Sequence, residues 1–128
     1  MNEIINKLKL ALKKLEQEYG EFYLFALFLR EGALGKWDLL VSTSWLNSDD
    51  LSSYSKITED VQKYLTAEEM TQLARIVILD PKDPSVVFLQ DLYDVPNGTF
   101  QEAASEPLSD KFGFSIKRAL LLRCVRPK

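Results

Sequence analysis

Polar side chains that could carry chemistry are concentrated in two short segments, each following a predicted strand. The first segment supplies two hydroxyls and an indole ring, and the second supplies two carboxylates and an amine. The side chains concerned are those of Ser42, Ser44, Trp45, Asp80, Lys82 and Asp83. Open sheets bind ligands in crevices at the carboxyl ends of parallel strands, where loop amides and helix N-termini converge. These six residues therefore form the candidate ligand-binding site of the sequence.

The same residues also have a structural interpretation, which the sequence leaves open. Asp80 and Asp83 each stand directly before a proline, where aspartate commonly forms a turn or caps a helix. Trp45 could likewise anchor the helix that follows it. A ligand site and a pair of ordinary turns are thus both compatible with the two segments.

A further carboxylate, Asp38, lies inside a predicted strand, Trp37-Asp-Leu-Leu-Val41. This segment resembles the acidic strand of nucleotidyltransferases, in which carboxylates hold divalent metal against nucleotide phosphates. That family also has a second acid two residues from the first, where this chain has Lys36 or Leu40. One carboxylate cannot hold the pair of ions that such chemistry uses. A metal- or nucleotide-dependent phosphoryl- or nucleotidyl-transfer enzyme, or a small-ligand-binding domain, using Asp38, Asp80 and Asp83 is therefore the alternative prediction.

Composition excludes several other classes of enzyme. The 128 residues contain no histidine and one cysteine. The missing histidines exclude Ser-His and Cys-His nucleophile pairs and every zinc site that contains histidine. The single cysteine excludes an intrachain disulfide and a CxxC redox pair. We accordingly predict no catalytic residues, no metal site and no cofactor.

The net charge of −3 conceals an uneven distribution along the chain. Residues 19–110 carry six basic and sixteen acidic side chains, a net charge of −10, whereas residues 111–128 carry six basic side chains and no acid. Such a basic segment could bind anions or nucleic acid. An isoelectric point near 5.0 instead favours pairing with acidic neighbours inside the fold, so nucleic acid is not a predicted partner.

Hydrophobic periodicity predicts nine elements in the order α-β-β-α-α-β-α-β-β. Three of the predicted helices cover residues 3–19, 67–73 and 84–93. The fourth is capped by Ser48 or Asp49 and runs to Leu65. The predicted strands cover residues 21–30, 36–42, 75–79, 99–104 and 112–125. Asn2 is the expected N-cap of the first helix, Thr66 and Glu69 form a capping box, and Asp83 caps the helix that begins at Pro84.

The strands differ in the burial that their sequences predict. Residues 21–30 are apolar on both faces, which is typical of a central strand. The β-branched run 75–79 predicts another buried strand. The last strand alternates, and its predicted apolar face consists of Phe112, Phe114, Ile116, Leu120, Leu122 and Cys124. Cys124 is therefore expected to be a buried, unreactive thiol.

These elements predict one α+β domain over residues 1–128, a sandwich of helices packed on a mixed sheet of four to five strands. The long helical connection between strands 36–42 and 75–79 suits a right-handed crossover between parallel neighbours. Two hairpins are expected to supply antiparallel edges.

The predicted function is a non-catalytic binding or interaction domain, with either another protein or a second copy of the chain as partner. Its main support is an aromatic surplus that suits an interface as well as a core. These aromatic residues are Tyr19, Tyr23, Trp37, Trp45, Tyr54, Tyr64 and Tyr93. The longest apolar run, residues 22–29, is far shorter than the ~20 residues of a membrane span. A lone cysteine and the absence of an export signal predict a cytoplasmic location.

Three segments together resemble a group of small, uncharacterised bacterial proteins. They are Trp37-Asp-Leu-Leu-Val-Ser-Thr-Ser-Trp-Leu46, Ala74-Arg-Ile-Val-Ile-Leu-Asp-Pro-Lys-Asp-Pro84 and Gly113-Phe-Ser-Ile-Lys-Arg-Ala-Leu120. The resemblance extends from about residue 20 to the end. It implies a single bacterial cytoplasmic domain, and it carries no assigned activity and no site residues.

Overall fold

The computed structural model describes residues 2–32, 34–96 and 98–127. Its helices are α1 (Asn2–Tyr19), α2 (Leu51–Tyr64), α3 (Ala67–Met70), α4 (Pro84–Leu92) and α5 (Ser105–Phe112). Its strands are β1 (Leu24–Arg30), β2 (Trp37–Ser42), β3 (Leu73–Ile78), β4 (Gln101–Ala103) and β5 (Ile116–Cys124). The predicted order of elements is confirmed except for α5, which hydrophobic periodicity did not predict.

The five strands form one mixed sheet in the order β3-β2-β1-β5-β4, so the α+β prediction is confirmed. β1 lies at the centre, as its doubly apolar sequence predicts, and pairs antiparallel with both β2 and β5. β2 and β3 are parallel neighbours, and β4 pairs antiparallel with β5. The prediction that both hairpins lie at edges is wrong for β1–β2, because that hairpin forms the middle of the sheet.

Helices cover both faces of the sheet and bury two separate apolar clusters. On the first face, α1 and α2 pack over alternate residues of β1 and β2, such as Phe25 and Leu39. On the second face, α4 and α5 pack over the intervening residues, such as Phe28 and Leu40. This arrangement follows from strand geometry, because successive side chains point to opposite faces and β1 is apolar on both.

The helix boundaries follow local capping chemistry. Asp50, rather than the predicted Ser48 or Asp49, caps α2, and its carboxylate accepts a hydrogen bond from the Ser52 amide at 2.9 Å. The capping box of Thr66 and Glu69 is confirmed at the start of α3. Asp83 and Pro84 begin α4 as predicted. Asn2 lies within α1 rather than before it.

The predicted strand 112–125 is wrong in its first part. Residues 105–112 form α5, which Gly113 ends in the left-handed conformation at φ 79°. The strand therefore begins at Ile116, and Phe112 and Phe114 precede it.

The predicted apolar face of this last strand is also wrong. Leu120 and Leu122 pack on the first face, whereas Ile116 and Cys124 pack on the second. The physical reason is two register shifts in the pairing of β1 with β5, each of which interrupts the alternation of faces.

β3 is the second strand whose predicted environment is wrong. Its sequence predicts a buried strand, but β3 ends the sheet and most of its residues are only partly buried or exposed. β-branched residues suit any pleated surface, so their presence does not indicate how many neighbouring strands a strand has. The buried strand here is β2, whose six residues are all buried.

The arginines of the basic C-terminal segment pair within the fold. Arg118 contacts Glu102 at 2.7 Å, Arg126 contacts Asp91 at 2.7 Å, and Arg123 contacts Glu16 at 3.0 Å. These contacts agree with the expected pairing to acidic neighbours. Lys128 lies outside the described residues. Among the described helices, none is both long and apolar enough to cross a bilayer.

Candidate binding site along the edge strand

The carboxyl ends of β2 and β3 enclose a crevice of about 450 Å³ at the predicted position. Of the six predicted site residues, Ser44, Asp80 and Lys82 line it. Three polar neighbours in the crevice were not among the predicted site residues: Thr43, Asn47 and Ser48. These neighbours could have been predicted, because polar residues recur on both sides of Trp45 and Leu46 up to the predicted helix cap.

The other three predicted residues serve elsewhere. Ser42 is fully buried on the second face. Trp45 stacks on Tyr19, with ring centroids 4.8 Å apart, and its indole nitrogen donates to the Gly20 carbonyl at 3.1 Å. Trp45 thus anchors the end of α1, not the helix that follows it. The Asp83 carboxylate accepts a hydrogen bond from the Ser85 amide at 2.9 Å as the cap of α4.

The polar groups in the crevice are largely engaged in turns. The Asp80 carboxylate accepts from the Lys82 amide at 2.7 Å, and the Asn47 side-chain oxygen accepts from the Asp49 amide at 2.9 Å. The Thr43 hydroxyl donates to the Glu21 carbonyl at 2.6 Å. The structural interpretation therefore accounts for Asp80, Asn47 and Thr43.

Asp38 occupies a different region, at the opposite end of β2 from this crevice. Its carboxylate is 1% exposed and accepts a hydrogen bond from Arg30 Nε at 2.6 Å, while Arg75 Nε lies 3.3 Å away. Asp38 therefore does not join Asp80 and Asp83. Across the described ranges, no three acidic or cysteine side chains are grouped so that they could hold a metal ion.

The outer edge of β3 carries backbone groups that do not face β2. Leu79 N donates to Val41 O at 2.9 Å, which shows that Leu79 turns its amide group toward β2. Amide groups alternate sides along a strand, so those of Ile76 and Ile78 point away from the sheet. Within the described part of the chain, β3 pairs with β2 alone. Among the described residues, no backbone hydrogen bond from outside the sheet reaches these outward groups; Ile76 is partly buried and Ile78 is 5% exposed.

A groove of about 640 Å³ runs beside β3 on the second face, between the start of α4 and the end of α5. We call it the second-face groove. Its apolar lining consists of Leu40, Val77, Leu79, Pro84, Phe112 and Phe114. Its polar lining consists of Arg75, Asp83, Ser85, Asp110 and Lys111. A volume of this size is within the range that holds a ligand or several side chains.

A smaller groove of about 290 Å³ lies beside β3 on the first face, and we call it the first-face groove. Tyr54 and Thr58 of α2 form one wall, and Met70 of α3 closes one end. Leu73, Ala74, Arg75 and Ile76 contribute from the strand itself. β3 thus has an apolar groove on each side of its exposed edge.

The opposite edge of the sheet is built differently. β4 is only three residues long, and its exposed Gln101 and Glu102 are polar. Glu102 also forms a bidentate pair with Arg118, at 2.7 and 3.1 Å. Short, polar, charged edges discourage the addition of further strands. β3 lacks these features, because its one charged residue, Arg75, is drawn over the sheet toward Asp38.

A further depression, of about 870 Å³, lies between the start of α1 and α3. Lys7 and Glu69 form its main charged pair, with 2.7 Å between Nζ and Oε1. Their mutual contact, together with the capping role of Glu69, accounts for both side chains. We therefore regard the edge of β3 as the stronger candidate.

Comparisons of the chain with protein-family models, curated proteins and solved structures find no match. The resemblance to small bacterial proteins consequently stays a prediction.

Proposed function

We propose that this chain is a binding domain that accepts an extended segment of a partner protein as a sixth strand beside β3. The observation that carries the proposal is the combination of outward amide groups at Ile76 and Ile78 with an apolar groove on each face. In this mode of recognition, main-chain hydrogen bonds supply affinity and alternate side chains enter pockets on the two faces. The cytoplasmic location inferred from the single cysteine belongs to the same proposal.

The dimensions of the edge suit such a partner. Six residues of β3 extend over about 20 Å, enough to pair with a segment of similar length. Successive side chains of that segment would point alternately toward Tyr54 and Met70 on the first face and toward Phe112 and Phe114 on the second. The partner would therefore bury apolar side chains on both faces, which a flat edge could not offer.

The enzyme alternative draws no comparable support from the geometry. Its three aspartates are divided between two ends of the sheet, and Asp38 is enclosed by two arginines. Asp80 and Asp83 accept hydrogen bonds from local backbone amides. These hydrogen bonds give Asp80 and Asp83 structural roles. The outer edge of β3, in contrast, pairs with no strand among the described residues.

The test is a selection of random twelve-residue peptides displayed on phage against the wild-type protein. Binding of the selected peptides is then measured on Ile76→Pro, which removes one outward N–H, and on Ala74→Lys, which places a charge at an exposed edge position. We expect each variant to weaken binding at least tenfold. In hydrogen exchange, the amides of Ile76 and Ile78 should gain protection when a peptide binds.

Gln101→Lys is the matched control, since it adds the same charge to the opposite, exposed edge. It should leave peptide affinity unchanged. Circular dichroism and thermal unfolding establish that each variant is folded, and Ala74→Lys remains informative if Ile76→Pro is not. Peptides that bind all variants equally, or protection confined to amides distant from β3, would show that the proposal is wrong.

A further inference from the structure

We propose that the partner segment carries an aspartate or glutamate that pairs with Arg75 at the edge of β3. This inference rests on the proposed function and specifies the chemistry of its partner. It concerns one position of the segment, on the second face, while the remaining positions are apolar.

The charges around Asp38 are not balanced. Two guanidinium groups, those of Arg30 and Arg75, share a single buried carboxylate. Arg30 holds that carboxylate with two contacts, at 2.6 and 3.4 Å, whereas Arg75 makes one at 3.3 Å. The cluster therefore has an excess of one positive charge, and Arg75 is the less firmly held partner.

Arg75 is also the member of the cluster that a new strand would meet. It lies on β3 itself, and its side chain is 49% exposed, compared with 32% for Arg30. Its contact with Asp38 is through Nε, at 3.3 Å, and Arg75 lines both grooves beside β3. A guanidinium binds a carboxylate best through two parallel N–H groups, so Arg75 is suited to bind a carboxylate of the partner.

The other charged residues of the second-face groove do not supply this acid. Asp83 and Asp110 line the groove on the side of the helices, and Asp83 is committed to capping α4. Lys111 lies over the Phe88 ring, 5.7 Å from its centroid. Among the described residues, Asp38 is the one acid within ion-pairing distance of Arg75.

A second copy of the chain fits this position poorly. Two-fold pairing of β3 with itself is antiparallel, and directly opposite residues then share a face of the continuous sheet. The residues of β3 on the face of Arg75 are Arg75 and Val77, so the second copy would present either a like charge or an apolar side chain. Like charges directly opposite one another are destabilising. The geometry thus favours a different protein with an acidic residue.

The experiment compares peptide pools selected from the twelve-residue phage library on the wild-type protein and on Arg75→Met. Methionine keeps an aliphatic stem and removes the charge. We expect wild-type pools to contain aspartate or glutamate at one recurrent position among apolar residues. Pools selected on Arg75→Met should keep the apolar pattern and lose the acid.

The most enriched wild-type peptide then provides the quantitative test. Replacing its acid with the corresponding amide should raise Kd about tenfold on the wild-type protein and less than twofold on Arg75→Met. Lys111→Met is the matched control, because it removes a different cation from the same groove and should preserve the tenfold difference.

The outcomes separate this inference from the proposed function. Peptides that depend on Ala74 and Ile76 but show no acid, or whose acid is insensitive to Arg75→Met, would overturn the inference and leave strand addition intact. A dimer in sedimentation that Ala74→Lys dissociates would identify a second copy as the occupant and also overturn it. Failure to select any peptide dependent on the edge of β3 would overturn both.

Discussion

The buried carboxylate of Asp38 allows a sharp test of the electrostatics on which the candidate site depends. We consider Arg30→Met, Arg75→Met and the double variant. Each single variant leaves Asp38 with one guanidinium, whereas the double variant leaves a carboxylate that is 1% exposed without a cation. Methionine preserves much of the packing of the arginine stem, so the comparison isolates the charge.

The expected effects follow from exposure and distance. Arg75 is half exposed and 3.3 Å from the carboxylate, so its loss should lower the free energy of unfolding by only about 0.5 kcal/mol. Arg30 is closer, at 2.6 Å, and its loss should cost about 1 kcal/mol. Leaving a buried charge unpaired costs about 3–5 kcal/mol. The double variant should therefore be less stable than the two single effects added together predict, by about 1.5–3.5 kcal/mol.

Urea unfolding at pH 7 measures these differences, and thermal unfolding should show the same order, at about 3 °C per kcal/mol for a chain of this size. Adding Asp38→Asn to the double variant is the control, because the neutral amide should recover part of the lost stability. If the two single effects add to within about 0.5 kcal/mol of the double variant, the reasoning about a shared buried carboxylate is refuted.

Three further predictions concern other parts of the molecule. Burial raises the pKa of the Cys124 thiol to about 12, so iodoacetamide at pH 8 should label Cys124 in urea but not in the native protein; rapid native labelling would contradict this. The hydrogen bond from Lys7, together with the backbone amide of Thr66, lowers the pKa of Glu69 below 4.5. The wild type should therefore be more stable than Glu69→Gln above pH 4.5. In urea unfolding, this difference in stability should shrink as the pH falls through the lowered pKa of Glu69. A difference that stays constant down to pH 2 would contradict the prediction. Ser42→Ala should be neutral or stabilise the fold by up to about 1 kcal/mol in urea unfolding, because the buried Ser42 hydroxyl has no hydrogen-bond partner among the described residues; a clear loss would show that it has one.

Local sequence patterns predicted much of the fold. The α1 stripe, the capping box at Thr66 and the Asp83-Pro84 helix start depend on neighbours within a few residues, and all three are confirmed. The central position of β1 was also predictable, because a strand that is apolar on both faces must be covered on both. α5 was missed because its Ser-Glu-Pro-Leu start is weakly periodic and the following Phe112 and Phe114 imitate the alternation of a strand.

The candidate site was less predictable than the fold. The crevice at Ser44, Asp80 and Lys82 exists where parallel topology places it, but the side-chain oxygens of Asp80 and Asn47 accept hydrogen bonds within turns. Arg75 gave no signal in the sequence, since a single arginine in a β-branched run has no distinctive spacing. Its role depends on Asp38, 37 residues earlier, which the register of β2 against β3 places directly beside it.

The class of fold, the central strand and the exclusion of histidine chemistry could all be predicted from the sequence, because they depend on composition and on contacts between near neighbours. Three further properties could be seen only in the folded chain: β3 ends the sheet, grooves flank it on both faces, and two arginines share Asp38. Those properties arise from which strands become neighbours. Hydrophobic periodicity records how apolar a strand is, but it does not record how many partners that strand has.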